Sequence, residues 1–230
     1  TEAEVSGALL CLDVTSSIVD EAVEKGCNLI VSHHPLIFRP LKRVVGADDV
    51  QRAVAKAIKH DITILSMHTN MDNAQGGVNF KMAEKMQLTG VKFFTEKQVD
   101  GITCGSGVMG ELPGAMAADD FIMMLKREFD VECVQCNQLL RRPIRTVAIC
   151  GGAGSFLLPE AIAAGADAFV TGEMHYHDYF AHEQEIQIAV IGHYQSEQYT
   201  YEIFKSIIEE QCEGVRCVVT SQNTNPIIYL

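Results

Sequence analysis

Nowhere in its 230 residues does the sequence approach the roughly 18 continuous apolar residues that a membrane-spanning helix requires. Hydrophobic and charged residues, at 47% and 21%, stand at ordinary globular values. A helical membrane span is excluded, and the chain can bury a substantial core as one large domain or two lobes. No basic segment precedes the first apolar run, Val5-Ser6-Gly7-Ala8-Leu9-Leu10, which argues against a secretory signal. The start reads as an acidic stub, Thr1 to Glu4, entering a strand; an initiator Met is also absent, which reads as a processed or trimmed chain. A disulfide framework is missing despite eight cysteines, because Cys11, Cys27, Cys150 and Cys217 stand in apolar segments, as buried thiols of a reducing cytoplasm do. Cys133-Val134-Gln135-Cys136 lacks the second ligand pair of a structural zinc site and reads as alternate residues near a strand end. Positive charge is scarce: 18 Lys and Arg against 30 Asp and Glu give a formal charge of -12, which repels phosphate backbones. Arg141, Arg142 and Arg145 form the basic cluster. Nucleic acid is disfavoured as a partner, while a small anionic substrate drawn to a metal stays compatible.

What is present is a strand-helix alternation. Gly7 to Asp13 reads as a strand, Ser17 to Lys25 as a helix capped by Ser16 or Thr15 and stopped by Gly26. Asn28 to Ser32 reads as a parallel strand covered on both faces, Asp48 to Lys59 as a helix and Ile62 to Met67 as a strand. This is a βαβαβ half of the doubly wound type. From Lys92 to Arg145 a small α+β bridge is expected, with a strand near Gly105 to Leu112, a helix from Ala118 to Phe129 and a short strand at Val131 to Cys136. A second half then imitates the first: strand Arg145 to Cys150, helix Phe156 to Ala164, strands Ala168 to Thr171 and Ile186 to Ile191, and a helix from Ser196 to Gln211. The imitation reaches single residues. Glu21-Ala22 before Gly26 is matched by Glu160-Ala161 before Gly165, and His68-x-x-x-Asp72 by His193-x-x-x-Glu197. The expected fold is α/β, two pseudo-symmetric lobes with mostly parallel sheets, flanking helices and a metal site between them. The expected division is a first lobe over 1–95, the bridge over 96–145 and a second lobe over 146–230.

In open α/β sheets, ligands sit outside the carboxyl ends of parallel strands, and His33-His34, Asp72 and His193 all fall just past such ends. Successive side chains leaving a strand diverge, so His33 and His34 can each serve a different ion. His193 and Glu197, four apart at a strand-to-helix junction, can share one face of a helical turn. Three imidazoles and two carboxylates make a mixed N/O set suited to Zn, Fe, Mn or Co. Two ions roughly 3.5 to 4 Å apart would activate a water as nucleophile. His68 corresponds to His193 by the repeat and reads as a site member or an orienter of the ligands. Within Thr171-Gly172-Glu173-Met174-His175-Tyr176-His177, either Glu173 or His177 suits a general acid or a substrate contact, and a supporting loop role is equally compatible. Cys150-Gly151-Gly152-Ala153-Gly154-Ser155 is a glycine turn that could offer backbone N–H groups to a phosphate, although close packing of the turn explains it as well. Gln75-Gly76-Gly77-Val78-Asn79 reads as a tight turn leading into a helix.

Taken in order, Leu12-Asp13-Val14-Thr15, Asn28 to Leu36 with its Ser32-His33-His34-Pro35, His68-Thr69-Asn70-Met71-Asp72, Gly76-Gly77-Val78-Asn79, Thr171-Gly172-Glu173 with His177, and Gly192-His193 with Glu197 resemble the GTP cyclohydrolase 1 type 2 homologue family, also called NIF-three-like. The resemblance covers nearly the whole length. It implies a two-lobed α/β fold, a toroidal homohexamer with sites facing an internal cavity, and a dinuclear centre held by His33, His34, Asp72, His193 and Glu197. Some family members are assigned opening of the GTP purine ring by metal-activated water. The sequence departs from the family in lacking an opening amphipathic helix with an Asp-Asn-x-Gly segment, and in lacking the large inserted ferredoxin-like domain, so it resembles the short form. The leading expectation is a cytoplasmic hydrolase with two divalent metal ions and no organic cofactor, acting on GTP or another small heterocycle, with Glu197, His68 and His177 as its catalytic residues. The alternative is a metal-binding ring with a regulatory or assembly role and no turnover. Neither expectation involves a membrane.

Overall fold

Short apolar runs punctuated by glycine and capped by polar side chains give twelve strands and eight α-helices in the computed structural model, which describes residues 4–230. The acidic stub over 1–3 lies outside the described residues. In chain order the elements are β1 (Ala8–Cys11), α1 (Ser16–Glu24), β2 (Leu29–Ser32), α2 (Asp49–Lys59), β3 (Thr63–Ser66), α3 (Thr69–Asp72), α4 (Val78–Lys85), β4 (Thr89–Phe93), β5 (Glu96–Val99) and β6 (Ile102–Gly105). They continue with β7 (Val108–Met116), α5 (Ala118–Glu128), β8 (Gln135–Cys136), β9 (Ile144–Cys150), α6 (Leu158–Ala163), β10 (Ala168–Thr171), β11 (Gln187–Val190), α7 (His193–Glu197), α8 (Thr200–Gln211) and β12 (Cys217–Val219). No helix among the described residues is long and apolar enough to cross a membrane. The chain forms two units, one of residues 1–71 and 200–226, the other of residues 72–199 and 227–230.

The first unit is built on a four-stranded sheet of order β12-β1-β2-β3, parallel throughout. Its strands are only four residues long or shorter, and β1 is buried along its whole length, as a central parallel strand covered on both faces must be. Thr15 caps α1 by accepting from Ile18 N, and Asp48 caps α2 by accepting from Gln51 N. Ile18, Val19 and Ala22 of α1 and Ala53 and Ala57 of α2 meet Leu9, Cys11 and Ile30 in one core, while α8 packs on β1 and β12.

A six-stranded sheet of order β4-β7-β9-β10-β11-β8 organises the second unit. Its centre, β9-β10-β11, is parallel, and β4, β7 and β8 join antiparallel. Alternation along the central strands divides the core in two. Val147, Ile149, Ala168, Val170 and Ala189 face Met82, Phe121, Leu125 and Phe129 from α4, α5 and the residue after α5. Ala148, Phe169, Ile188 and Val190 face Leu157, Leu158 and Ala161. The hairpin β5-β6 stands as a separate two-stranded sheet.

The expected mixed α/β architecture with mostly parallel sheets is present. Contacts group the chain differently from the linear division 1–95, 96–145 and 146–230. Strands β7 and β8 belong to the same sheet as β9, so 96–145 supplies sheet strands of the second unit in addition to the separate β5-β6 hairpin. The final helix and strand, α8 and β12, belong to the first unit, because β12 completes the edge beside β1. The helix expected over Ser196 to Gln211 is two helices, α7 and α8. Of the four thiols expected to be buried, Cys11, Cys27 and Cys150 are, and Cys217 is half-buried.

Candidate metal centre

In the first unit, Ser32 ends β2 and the chain turns at His33-His34-Pro35. Hydroxyls pin this turn: Ser32 Oγ donates to the His34 carbonyl at 2.9 Å and lies 2.9 Å from Ser66 Oγ at the matching end of β3. His33 is fully buried, and its Nδ1 lies 2.9 Å from the Met67 carbonyl. A carbonyl can only accept, so Nδ1 is the donor in this bond. His34 repeats the device with a carboxylate: its Nδ1 lies 2.7 Å from Asp13 Oδ1, and Asp13 in turn accepts from Thr224 Oγ1 at 2.6 Å. His68 sits immediately before α3, its ring centroid 5.3 Å from that of His33 and 5.5 Å from that of His34. One ligand atom from each of these three histidines lies within 4.8 Å of the others, a spacing that a single ion can span.

The second unit assembles its donors around a glycine turn. His193 opens α7 and Glu197 closes it, with His193 Nε2 3.1 Å from Glu197 Oε2 and His193 Nδ1 2.8 Å from Glu173 Oε1. The hydrogen bond with Glu197 raises the His193 pKa above its usual 6.5; burial opposes this and Glu173 adds to it. Glu197 is 3% exposed. Its position depends on Gly152 (φ +57), where a Cβ would overlap Glu197 Oε1 and lie 3.5 Å from His193 Cε1. Gly172 is equally constrained, since a Cβ there would meet the Gly152 carbonyl and Ser196 Oγ, both at 2.7 Å. Asp72 ends α3, and its carbonyl accepts from Asn79 Nδ2 at 3.0 Å while Asn79 Oδ1 accepts from Gly151 N at 2.9 Å. Burial, then the charges of Asp72 and Glu197, push the Cys150 thiol up to about 12, so both carboxylates act on the end of β9. A cavity of about 300 Å³ opens beside His193, lined in part by Gln135, Glu173, His175 and Tyr229.

Three N–H groups of the glycine turn after β9 are not available to a phosphate. Gly151 N donates to Asn79, Gly152 N to Ser196 Oγ and Gly154 N to Thr171 Oγ1, so these three are spent on the protein itself. His177 is exposed on a short 3-10 turn with its ring against Phe180 and Tyr176. Three positioning residues escaped the sequence reading. Asp13 and Asn79 stood inside motifs without a role, and Glu173 was weighed as an acid or substrate contact. The available signal was a carboxylate or amide next to a histidine or aspartate that needs orienting.

The residues fit a divalent metal by the chemistry of the donor set. Each of His33, His34 and His193 has Nδ1 held by a protein acceptor, the arrangement that orients imidazole ligands. The class so defined is an α/β protein that carries, past its strand ends, imidazoles and carboxylates that could hold a metal ion. The family model described as Duf34/NIF3 (NGG1p interacting factor 3) matches residues 1–226, and the chain belongs to that family. A relative named GTP cyclohydrolase 1 type 2 homolog from Clostridium perfringens is 30% identical over 233 residues, covering 100% of this chain and 88% of its own. One of the same name from Halalkalibacterium halodurans is 25% identical over 334 residues, covering 98% of this chain and 90% of its own; that alignment is longer than this chain, which is of the short form. The crystal structure of the Staphylococcus aureus hypothetical protein SA1388 has a TM-score of 0.90 at 28% identity, covering 100% of this chain and 89% of that one.

Proposed function

We propose that the chain is a metal-dependent hydrolase of the GTP cyclohydrolase 1 type 2 kind, acting on a nucleotide or a similar small heterocycle. His33, His34, Asp72, His193 and Glu197 hold two divalent ions, drawn from Zn, Fe, Mn and Co. Bound there, the ions supply Lewis-acid polarisation of the substrate and a water acidic enough to attack at neutral pH. The protein's own part is orientation and proton transfer. Met67, Asp13 and Glu173 fix the tautomers of the three imidazoles, Gly152 leaves room for Glu197, and His68 and His177 move protons. One observation carries the reading: three histidines, each with Nδ1 held at 2.7 to 2.9 Å by a protein acceptor, the anchoring that orients imidazole ligands. The family resemblance adds a homohexameric assembly.

Elemental analysis of the purified protein tests the centre, and GTP consumption with His34→Ala and Glu197→Ala variants tests the reaction. About two ions per chain with metal-dependent turnover, both lost in the variants, is the expected result. Metal without turnover of GTP shifts the reading to another substrate or to a binding role, and no metal after reconstitution refutes the centre.

A further inference from the structure

The basic cluster Arg141, Arg142 and Arg145 is largely neutralised: Arg142 pairs with Asp167, and Arg145 pairs with Glu111 at 2.9 Å. A second set of cations is not. Between His34 and the cap of α2 the chain runs without regular structure, and its 36–47 stretch, Leu36-Ile37-Phe38-Arg39-Pro40-Leu41-Lys42-Arg43-Val44-Val45-Gly46-Ala47, contains three cations and no acidic residue. Arg39, Lys42 and Arg43 are exposed, and none of them forms an ion pair or side-chain hydrogen bond among the described residues. In a chain of net charge -12 these three cations stand within five consecutive residues, and the next acidic residue is Asp48.

The loop is also anchored at the candidate centre. It begins one residue after His34-Pro35, and Phe38, 73% exposed, sets its ring 6.2 Å from that of His68. At its far end Val45 N donates to Gln51 Oε1 at 2.9 Å. Irregular segments of this length in compact domains are characteristically binding loops or lids. Guanidinium and ammonium groups recognise phosphate oxygens through charge-assisted hydrogen bonds. The exposed Phe38 offers the flat apolar surface an organic phosphate needs beside its anionic end.

We infer that the loop over 36–47 binds the phosphate groups of the substrate through Arg39, Lys42 and Arg43, so that the substrate is a phosphorylated small molecule. This rests on the hydrolase reading for the word substrate, but the binding itself needs neither metal nor turnover. The test is isothermal titration of inorganic tripolyphosphate into metal-free full-length protein, comparing wild type with the triple variant Arg39→Gln, Lys42→Gln, Arg43→Gln. Arg141→Gln with Arg145→Gln serves as the control for charge elsewhere. The expected result is wild-type binding that weakens with added salt, falls at least about tenfold in the triple variant and persists in the control. The inference is overturned if wild type does not bind tripolyphosphate, if the triple variant binds it as well as wild type, or if the control loses as much. It is also overturned if phosphatidylserine vesicles, and not tripolyphosphate, are captured through these residues. Because the readout is metal-free binding, its failure leaves the hydrolase reading standing, and failure of the metal or turnover tests leaves the phosphate site standing.

Discussion

Replacing Gly152 by alanine separates a backbone effect from an effect on the metal centre. At φ +57 the residue is in the left-handed region, where a Cβ costs about 1 kcal/mol. Gly165, at φ +77 with nothing within 4 Å of its added Cβ, carries that cost alone. Gly152→Ala adds a collision, since the new methyl overlaps Glu197 Oε1 and lies 3.3 Å from Glu197 Cδ. Glu197 is 3% exposed and cannot swing into solvent, so relief means moving the carboxylate off His193, now 3.1 Å away. Loss of a charged hydrogen bond of this kind costs roughly 1.5 to 3 kcal/mol. The expected destabilisation is about 3 kcal/mol against about 1 for Gly165→Ala. Melting temperatures should then fall by on the order of 10 °C and about 3 °C, given roughly 2 to 4 °C per kcal/mol at this size. Metal titration by calorimetry should show at least about tenfold weaker affinity in Gly152→Ala and an unchanged affinity in Gly165→Ala. If the two variants melt alike and bind metal alike, the packing of Glu197 against the glycine turn does not govern the centre.

Three further outcomes follow from the hydrogen bonds. Asp13→Asn removes the carboxylate that fixes the His34 tautomer, and metal affinity should fall about 10- to 100-fold in the same titration, with the fold intact by circular dichroism. The His193 pKa is raised, so protons compete with metal at a higher pH than for an ordinary histidine. Metal affinity should therefore decline as pH falls from above 6.5, and Glu173→Gln, by lowering that pKa, should shift the decline to lower pH. Burial pushes the Glu21 carboxyl up, but hydrogen bonds from Thr220, Ser221 and Gln222 outweigh it and hold the pKa below the ordinary 4.5. The stability Glu21 contributes is complete above about pH 4.5 and is lost as pH falls through the folded value. Urea unfolding across pH 2 to 6 should show a shallower acid limb in Glu21→Gln than in wild type.

Local signals carried most of the fold. The cap Thr15 and the stop Gly26 stand where they were expected, and the helix expected from Asp48 begins one residue later with Asp48 as its cap, because helix ends are decided by side chains only a few positions away. Strand Ala168 to Thr171 coincided with β10, bounded as it is by Gly165 and Gly172. Membership of a sheet was not legible. Nothing in Cys217-Val218-Val219 announces a partner at Ala8 to Leu10, and the bridge over 96–145 looked independent because pairing of β7 with β9 depends on residues 28 to 41 positions apart. At the candidate centre, histidines and carboxylates were visible as residue types, while their anchoring was not. The Met67 carbonyl offers no side-chain signal, and Asp13 reaches His34 across a strand crossover.

The pairing of β12 with β1 sets an order of completion during synthesis. Strands β1, β2 and β3 leave the ribosome first, yet the backbone of β1 keeps one side open until Arg216 and Thr220 arrive to bond Ala8 and Leu10. The stretch over 72–199, which supplies every strand of the six-stranded sheet, is by then fully made. The second unit can therefore mature while the first still offers an unpaired parallel strand edge, the kind of surface that recruits other chains. Chains truncated before Cys217 should thus depend on chaperones through β1, and chains extended through Thr220 and released from the ribosome should not.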